Sequence, residues 1–227
     1  MTKSKQKFSI VFEDNHLLVV NKSAGVLVQG DETGDVPLVD LCKEYVKEKY
    51  GKPGAVFLGL VHRIDRPVSG LVVLARTSKA LERMTAQFRE RETRKTYWAI
   101  VRKKPANESG VLIHWLMKDE KKNKTTAYKN ETAGALRSEL SYHVIGKHGG
   151  GYLLEVRPVT GRPHQIRVQL ASINCPIKGD IKYGDDEANG DGSICLHARR
   201  LEFVHPVKKE PMVLEADVPE TVYWEGL

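Results

Sequence analysis

The sequence predicts an α+β fold with a mainly antiparallel, mixed β-sheet core flanked by helices and loops. Three observations carry that prediction. Strand-length apolar runs rich in β-branched residues recur along the chain, two of them enclose a glycine-rich turn, and only three segments have helical spacing. Strands and helices do not alternate regularly, which argues against a doubly wound parallel sheet.

The elements follow in chain order. Residues 8–12 and 17–20 read as the first two strands. Residues 38–50 read as a helix: Pro37 precedes it, and Leu38, Leu41, Tyr45 and Val46 recur at helical intervals. A strand at 71–74 leads to a second helix over 78–92, with Thr77 or Ser78 as N-cap, Leu81, Met84 and Phe88 on one face, and Arg83, Arg89 and Arg91 on the others. Residues 97–101 form the next strand, and 118–125 is a polar, strongly charged loop. Residues 140–144 and 152–156 pair as a long antiparallel hairpin, because Gly149, Gly150 and Gly151 relax the φ restriction at its turn. That glycine triplet lacks the Lys-Ser/Thr sequel of a phosphate-binding loop. A third helix spans 163–173, with Pro163 in its first turn and Ile166, Leu170 and Ile173 on one face; a strand at 201–204 follows. No repeat or Pro/Ser-rich linker divides the chain, so one domain is expected over 8–227 behind a basic tail at 1–7.

Composition narrows the class. Apolar residues make up 41% of the 227 and charged residues 29%, which permits a sizeable core and excludes a disordered chain. Of the net charge of +7, residues 76–129 alone contribute +9, from fifteen basic and six acidic residues; the remainder is −2. Such a local basic face attracts phosphate, whether of RNA, DNA or an anionic membrane, and is equally compatible with a solvated lysine-rich surface. Cys42, Cys175 and Cys195 are odd in number and far apart, which supports neither a disulfide framework nor a cysteine zinc site and fits a reducing cytoplasm. No apolar run approaches the ~18 residues needed to span a bilayer.

Three segments carry candidate chemistry. In Val61-His62-Arg63-Ile64-Asp65-Arg66-Pro67-Val68-Ser69-Gly70 a polar cluster runs into a buried-looking strand. Pro67 disfavours helix at Arg66, so Asp65 sits in a loop at the strand's edge. By itself this reads either as an Arg–Asp surface pair or as a scaffold-held acid. In Thr160-Gly161-Arg162-Pro163-His164-Gln165-Ile166-Arg167 the guanidinium groups and a helix start suit an anion, a phosphate or a carboxylate. In Arg94-Lys95-Thr96-Tyr97 the strand alternation puts Tyr97 on a face with Lys95, Ala99 and Val101.

Together these segments resemble the RluA-type pseudouridine synthases. The His-Arg-Leu-Asp…Ser-Gly signature of that family is matched by His62-Arg63-Ile64-Asp65…Ser69-Gly70, and its Gly-Arg-x-His-Gln-(Ile/Leu)-Arg signature by Gly161 through Arg167. Further landmarks follow in order: Asn21-Lys22-Ser23-Ala24-Gly25, Lys95-Thr96-Tyr97, Gly179-Asp180…Tyr183-Gly184 and Leu196-His197-Ala198…His205-Pro206. The resemblance covers nearly the whole chain from Phe8. Departures are Val68 where members usually carry Thr, Gln169 where His is common, and Ser23 in place of a common Pro.

The resemblance implies a pseudouridine synthase fold with an active-site cleft across the sheet, and an isomerase that converts uridine to pseudouridine in structured RNA, ribosomal or transfer. It implies Asp65 as the nucleophile, Arg167 as its charge partner, and Tyr97 stacking on uracil with its hydroxyl near the C5 proton. Arg63, Arg66, Arg162, His164 and Gln165 become substrate-binding residues, with Arg63 entering the space vacated by a flipped base. Many members carry a small N-terminal RNA-binding domain; here recognition is expected from the catalytic domain itself. Arg76, Lys79, Arg83, Arg89, Arg91 and the 118–124 loop are phosphate contacts on charge alone. No cofactor or metal is expected, since His62, His164, His197 and His205 lack ligand-like spacing. A monomer without membrane attachment is the expected state. Two other readings compete: an RNA-binding protein of this fold that does no chemistry, and a glycosidase-type hydrolase, which would need a second cooperating carboxylate.

Overall fold

The computed structural model describes residues 7–227, so all of the tail expected at 1–7 except Lys7 lies outside the described residues. The chain runs β1 (Phe8–Glu13), β2 (Leu17–Lys22), α1 (Leu38–Lys49), β3 (Gly59–Leu60), β4 (Ser69–Ala75), α2 (Ser78–Glu90) and β5 (Arg94–Val101). It continues through β6 (Ser109–Asp119), β7 (Lys124–Tyr128), β8 (Leu136–His148), β9 (Gly151–Pro158), α3 (Gln165–Ser172), a 3-10 turn at Ile181–Tyr183, β10 (Leu196–Val204) and β11 (Pro211–Glu215). Every strand pairing with a described register is antiparallel. This is the expected α+β architecture. The residues divide into two compact units: the chain through Thr93 with Ala198–Pro219, and Arg94–His197 with Glu220–Leu227.

In the first unit the strand order is β1-β2-β4-β10, with β3 on β4 and β11 on β10. All seven residues of β4 are buried, so this strand is covered on both faces and its apolar run needs no alternation. Met84 of α2 packs among Leu17, Val19, Leu71, Val73, Leu201, Phe203 and Ala216. Thr77 caps α2 by accepting the Ala80 amide, as its position before the periodic residues predicts. The buried stripe of α2 is Ala80, Met84 and Gln87, shifted from the expected Leu81 and Phe88. Gln87 tolerates burial because its amide donates to the Val204 carbonyl and accepts the Val204 N–H at the end of β10. In α1 the stripe is Leu38, Cys42 and Val46, while Tyr45 turns its hydroxyl to Glu13.

The second unit has the order β5-β9-β8-β6-β7. The predicted hairpin is β8–β9, and its turn is Gly149-Gly150, both at positive φ. Both strands run longer than the apolar runs, since polar residues at their ends continue the ladder. The charged loop expected at 118–125 is instead the tip of a second hairpin: β6 extends to Asp119, β7 begins at Lys124, and only 120–123 form the turn. The third helix starts at Gln165 rather than Pro163, because His164 adopts a left-handed conformation (φ 54°, ψ 20°) that interrupts the helical path. Val168 of α3 packs with Leu116 and Tyr183.

Candidate active site

The loop that presents Asp65 is fixed by its neighbours before its own side chain is considered. Ile64 and Val68 are buried on either side of it, while Arg63 and Arg66 are exposed. The Val68 amide donates to the Asp65 carbonyl at 3.1 Å, closing a turn over Pro67 just before β4. His62 anchors the upstream end: its Nε2 accepts the Val73 amide at 3.2 Å, and its ring stacks on Phe88 at 4.5 Å. The loop between β2 and α1 clamps the other side. Gly25 N donates to the Arg66 carbonyl (2.8 Å), and Arg66 Nε donates back to the Gly25 carbonyl (3.0 Å). Arg66 also pairs with Asp35 at 2.6 Å in a solvated bridge, so its guanidinium serves loop closure as well as any substrate role.

Lys22 lies under this loop and is completely buried. Its Nζ donates to the carbonyls of Ser23 (3.0 Å), Val26 (2.8 Å) and Arg66 (3.2 Å), using the three donors of an ammonium. Burial pushes its pKa from the ordinary 10.5 down to about 7, against the Asp65 charge, which raises it, and with the Arg66 charge, which lowers it further. Between these values the unfolded chain holds a proton here that the folded chain has released. Stability contributed at this position therefore rises as pH climbs from about 7 towards 10.5 and is constant below that window. The Lys22→Met variant is expected to lack this rise, at about 1.4 kcal/mol per pH unit, when urea denaturation is compared at the two ends of the window. Equal slopes in both proteins would contradict a displaced Lys22 titration.

The remaining expected residues belong to the second unit. Tyr97 sits half-buried on β5, paired with Val156 of β9. The segment before α3 is organised by Gln165, which is buried. Its Oε1 accepts from Thr160 Oγ1 (2.7 Å) and the Arg162 amide (3.0 Å), and its Nε2 donates to the Glu139 carbonyl (3.0 Å). Gln165, expected to bind substrate, has these three hydrogen bonds committed to the loop and to β8. Arg162 keeps its Nε buried without a hydrogen-bond partner. His164 faces Tyr183, with Nδ1 2.7 Å from the phenol oxygen, which also accepts the Thr125 amide at 2.8 Å.

Arg167, in the first turn of α3, is buried and forms a side-on bidentate pair with Asp180: Nε to Oδ2 at 2.7 Å and Nη2 to Oδ1 at 2.9 Å. Its Cζ lies 5.0 Å from the centroid of the Tyr183 ring. The guanidinium is therefore fixed in plane by a carboxylate and from one face by an aromatic ring, with Nη1 uninvolved in the Asp180 pair. Asp180 and Tyr183 received no role from the sequence beyond their place in a family landmark. A buried arginine requires a partner, but thirteen residues of separation conceal which acid supplies it. Gln169, a departure from the family pattern, is fully buried and donates to the Leu112 carbonyl (3.0 Å) and towards His114 Nδ1 (3.1 Å), joining α3 to β6.

Two residues expected to meet phosphate are otherwise engaged. Arg76 is mostly buried and donates to Glu13 and the Asp14 carbonyl, and Arg83 donates to the Pro206 carbonyl. Lys79, Arg89 and Arg91 in the first unit and Lys121, Lys122 and Lys124 in the second remain exposed. No helix among the described residues is long and apolar enough to cross a membrane, and all three cysteines are free and buried.

The family model described as RNA pseudouridylate synthase matches residues 16–172. The ribosomal large subunit pseudouridine synthase C of Vibrio vulnificus is 35% identical over 93% of this chain and 66% of its own length. A mitochondrial pseudouridylate synthase of Xenopus tropicalis is 31% identical over 95% of this chain and 78% of its own. Among solved structures, the human RNA pseudouridylate synthase domain containing 4 aligns with a TM-score of 0.77 and 27% identity, covering 93% of this chain and 88% of that one. The chain spans just under two thirds of the length of the bacterial synthase C proteins it matches.

Proposed function

Since the chain belongs to the RNA pseudouridylate synthase family, we propose that it isomerises uridine to pseudouridine in structured RNA, with Asp65 as the nucleophile. The observation that carries this reading is the Asp65 loop: a carboxylate presented between two buried anchors and two exposed arginines, over a buried lysine whose charge it supports. The names of the bacterial relatives favour ribosomal RNA of the large subunit over transfer RNA as the target. A monomer in the cytoplasm is part of the same proposal.

The reaction breaks the C1′–N1 glycosidic bond, turns the bound uracil, and joins its C5 to C1′; the C5 proton leaves and N1 gains one, with no redox change. The ionised Asp65 carboxylate attacks either C1′ or the uracil ring, and its departure restores the free acid anion. Tyr97 stacks on the base and assists removal of the C5 proton. Arg167, kept charged and rigid by Asp180, is available to favour the anionic form of a carboxylate. Arg63, exposed beside Ile64, takes the place of the target base in the RNA stack, where unstacking costs on the order of a few kcal/mol. The exposed lysines and arginines offset that cost through phosphate contacts.

The test is RNA carrying tritium at uridine C5. The expected result is release of tritium to water with no free uracil. Free uracil would identify a hydrolase, and binding with neither product would identify an RNA-binding protein without chemistry.

A further inference from the structure

Arg167 is oriented by Asp180, and the conformation of Asp180 is in turn set by a second acid, Asp185. The Asp185 side chain is fully buried. Its Oδ2 accepts the Gly179 amide at 2.6 Å, and its own amide donates to the Asp180 carbonyl at 3.1 Å. One residue thus brackets the Gly179-Asp180 peptide from both sides, with the carboxylate on its N-terminal flank and the N–H on its C-terminal flank. The bracket has little freedom to slide. Gly179 is at φ +88°, and a Cβ there would lie 2.6 Å from Asn189 Nδ2 and 2.8 Å from the Ser193 carbonyl oxygen. The Asp180 amide is itself tied to the Ile177 carbonyl (3.0 Å).

A buried carboxylate facing only amides would be costly, and Arg102 neutralises it. Arg102 Nε donates to Asp185 Oδ1, and its Nη2 reaches the exposed Glu187 at 3.2 Å. Arg102 immediately follows β5, the strand of Tyr97, and the adjacent backbone is fastened to the same turn, since Lys178 N donates to the Ile100 carbonyl at 2.9 Å. The sequence Arg102, Asp185, Gly179-Asp180, Arg167 is a continuous set of charge-assisted contacts within one compact unit.

We infer that Asp185 is a positioning residue for Arg167: by bracketing Gly179-Asp180 and accepting Arg102, it fixes the acid that orients the guanidinium and links that acid to the end of the Tyr97 strand. The contribution to turnover rests on the isomerase reading above; the contribution to Arg167 rigidity does not.

Asp185→Asn is the discriminating variant, because the amide oxygen still accepts from Gly179 while the charge facing Arg102 is gone. In steady-state tritium release with the full chain, kcat is expected to fall about tenfold with KM within about twofold of wild type, as for a misplaced group that acts on the reacting centre. A variant that merely loosened the fold would lower the active fraction and Tm without touching the second readout. That readout is the Arg167 Nε–H resonance, assigned by its loss in Arg167→Lys, whose exchange with water is expected to accelerate about tenfold at a temperature where the variant is fully folded. Arg102→Ala, altering a partly exposed side chain, is expected to give the same pair of changes and replaces the first variant if that one does not fold. Unchanged Arg167 exchange in a folded variant overturns the inference, as does unchanged kcat in an active one. If the wild type releases no tritium, the isomerase reading fails and the exchange measurement still decides the role of Asp185.

Discussion

Asp65→Asn is expected to lower tritium release from C5-labelled RNA by more than about 10⁴-fold, below practical detection, while leaving RNA affinity within a fewfold of wild type. The substitution is nearly isosteric and removes the anionic oxygen that attacks. An amide oxygen is too weak a nucleophile to replace it, and the glycosidic bond is not broken without one. The fold should tolerate the change. The hydrogen bonds that shape this loop, Val68 N to the Asp65 carbonyl and Gly25 N to the Arg66 carbonyl, are backbone bonds, and the anchors Ile64 and Val68 are apolar. Loss of the carboxylate charge also removes the interaction that raises the Lys22 pKa, so the lysine becomes easier to deprotonate. Retained turnover in a folded Asp65→Asn protein would remove Asp65 from the chemistry altogether.

Gly70→Ala should be the most damaging single methyl group in the first unit. Gly70 is the second residue of β4, five residues after Asp65, with φ +113°, and a Cβ there would lie 2.4 Å from the Ala198 carbonyl oxygen and 2.5 Å from its nitrogen. These are backbone atoms of a neighbouring strand, so no rotamer change relieves the overlap. Adding steric displacement to the cost of a left-handed alanine gives a loss of about 3–5 kcal/mol in urea denaturation. Gly25→Ala provides the contrast: φ is +88° but nothing lies within 4 Å of the added carbon, so only the backbone cost of about 1–2 kcal/mol is expected. Similar losses for the two variants would mean that the close approach of β4 to Ala198 does not govern stability there.

The seven strand-length apolar runs each fall inside a strand, because burial on at least one face imposes a composition that is visible locally. The strands that escaped are β3, β6, β7 and β11; β6 carries apolar residues at both parities, and Lys118-Asp119 at its end and Lys124 at the start of β7 flank the turn, so their charge resembled a loop. Helix α3 was placed two residues early because Pro163 looked like a first-turn proline, and the left-handed His164 has no local signal. In the site, the motif residues were legible while their supports were not. Asp65, Tyr97 and Arg167 were singled out by the family signatures, but Asp180, Tyr183 and Lys22 make contacts formed only by folding, across separations of up to fifty-eight residues in the Tyr183–Thr125 contact. The internal hydrogen bonds of the Gln165 amide were equally hidden, because a polar residue in a dense motif does not reveal its partners.

The order in which the chain enters its two units bears on how it is made. β4, the most buried strand, is synthesised early, yet its neighbour β10 and the flanking β11 arrive only after Arg94–His197 has been translated. Until then the part of the β4 edge that β3 does not pair stays open in the nascent first unit, which is a template for wrong pairing. The intervening segment meanwhile has most of its own sheet and can fold during the wait, so the ribosome-bound chain is expected to acquire structure from its middle outward. Native contacts this distant in sequence also slow closure of the first unit.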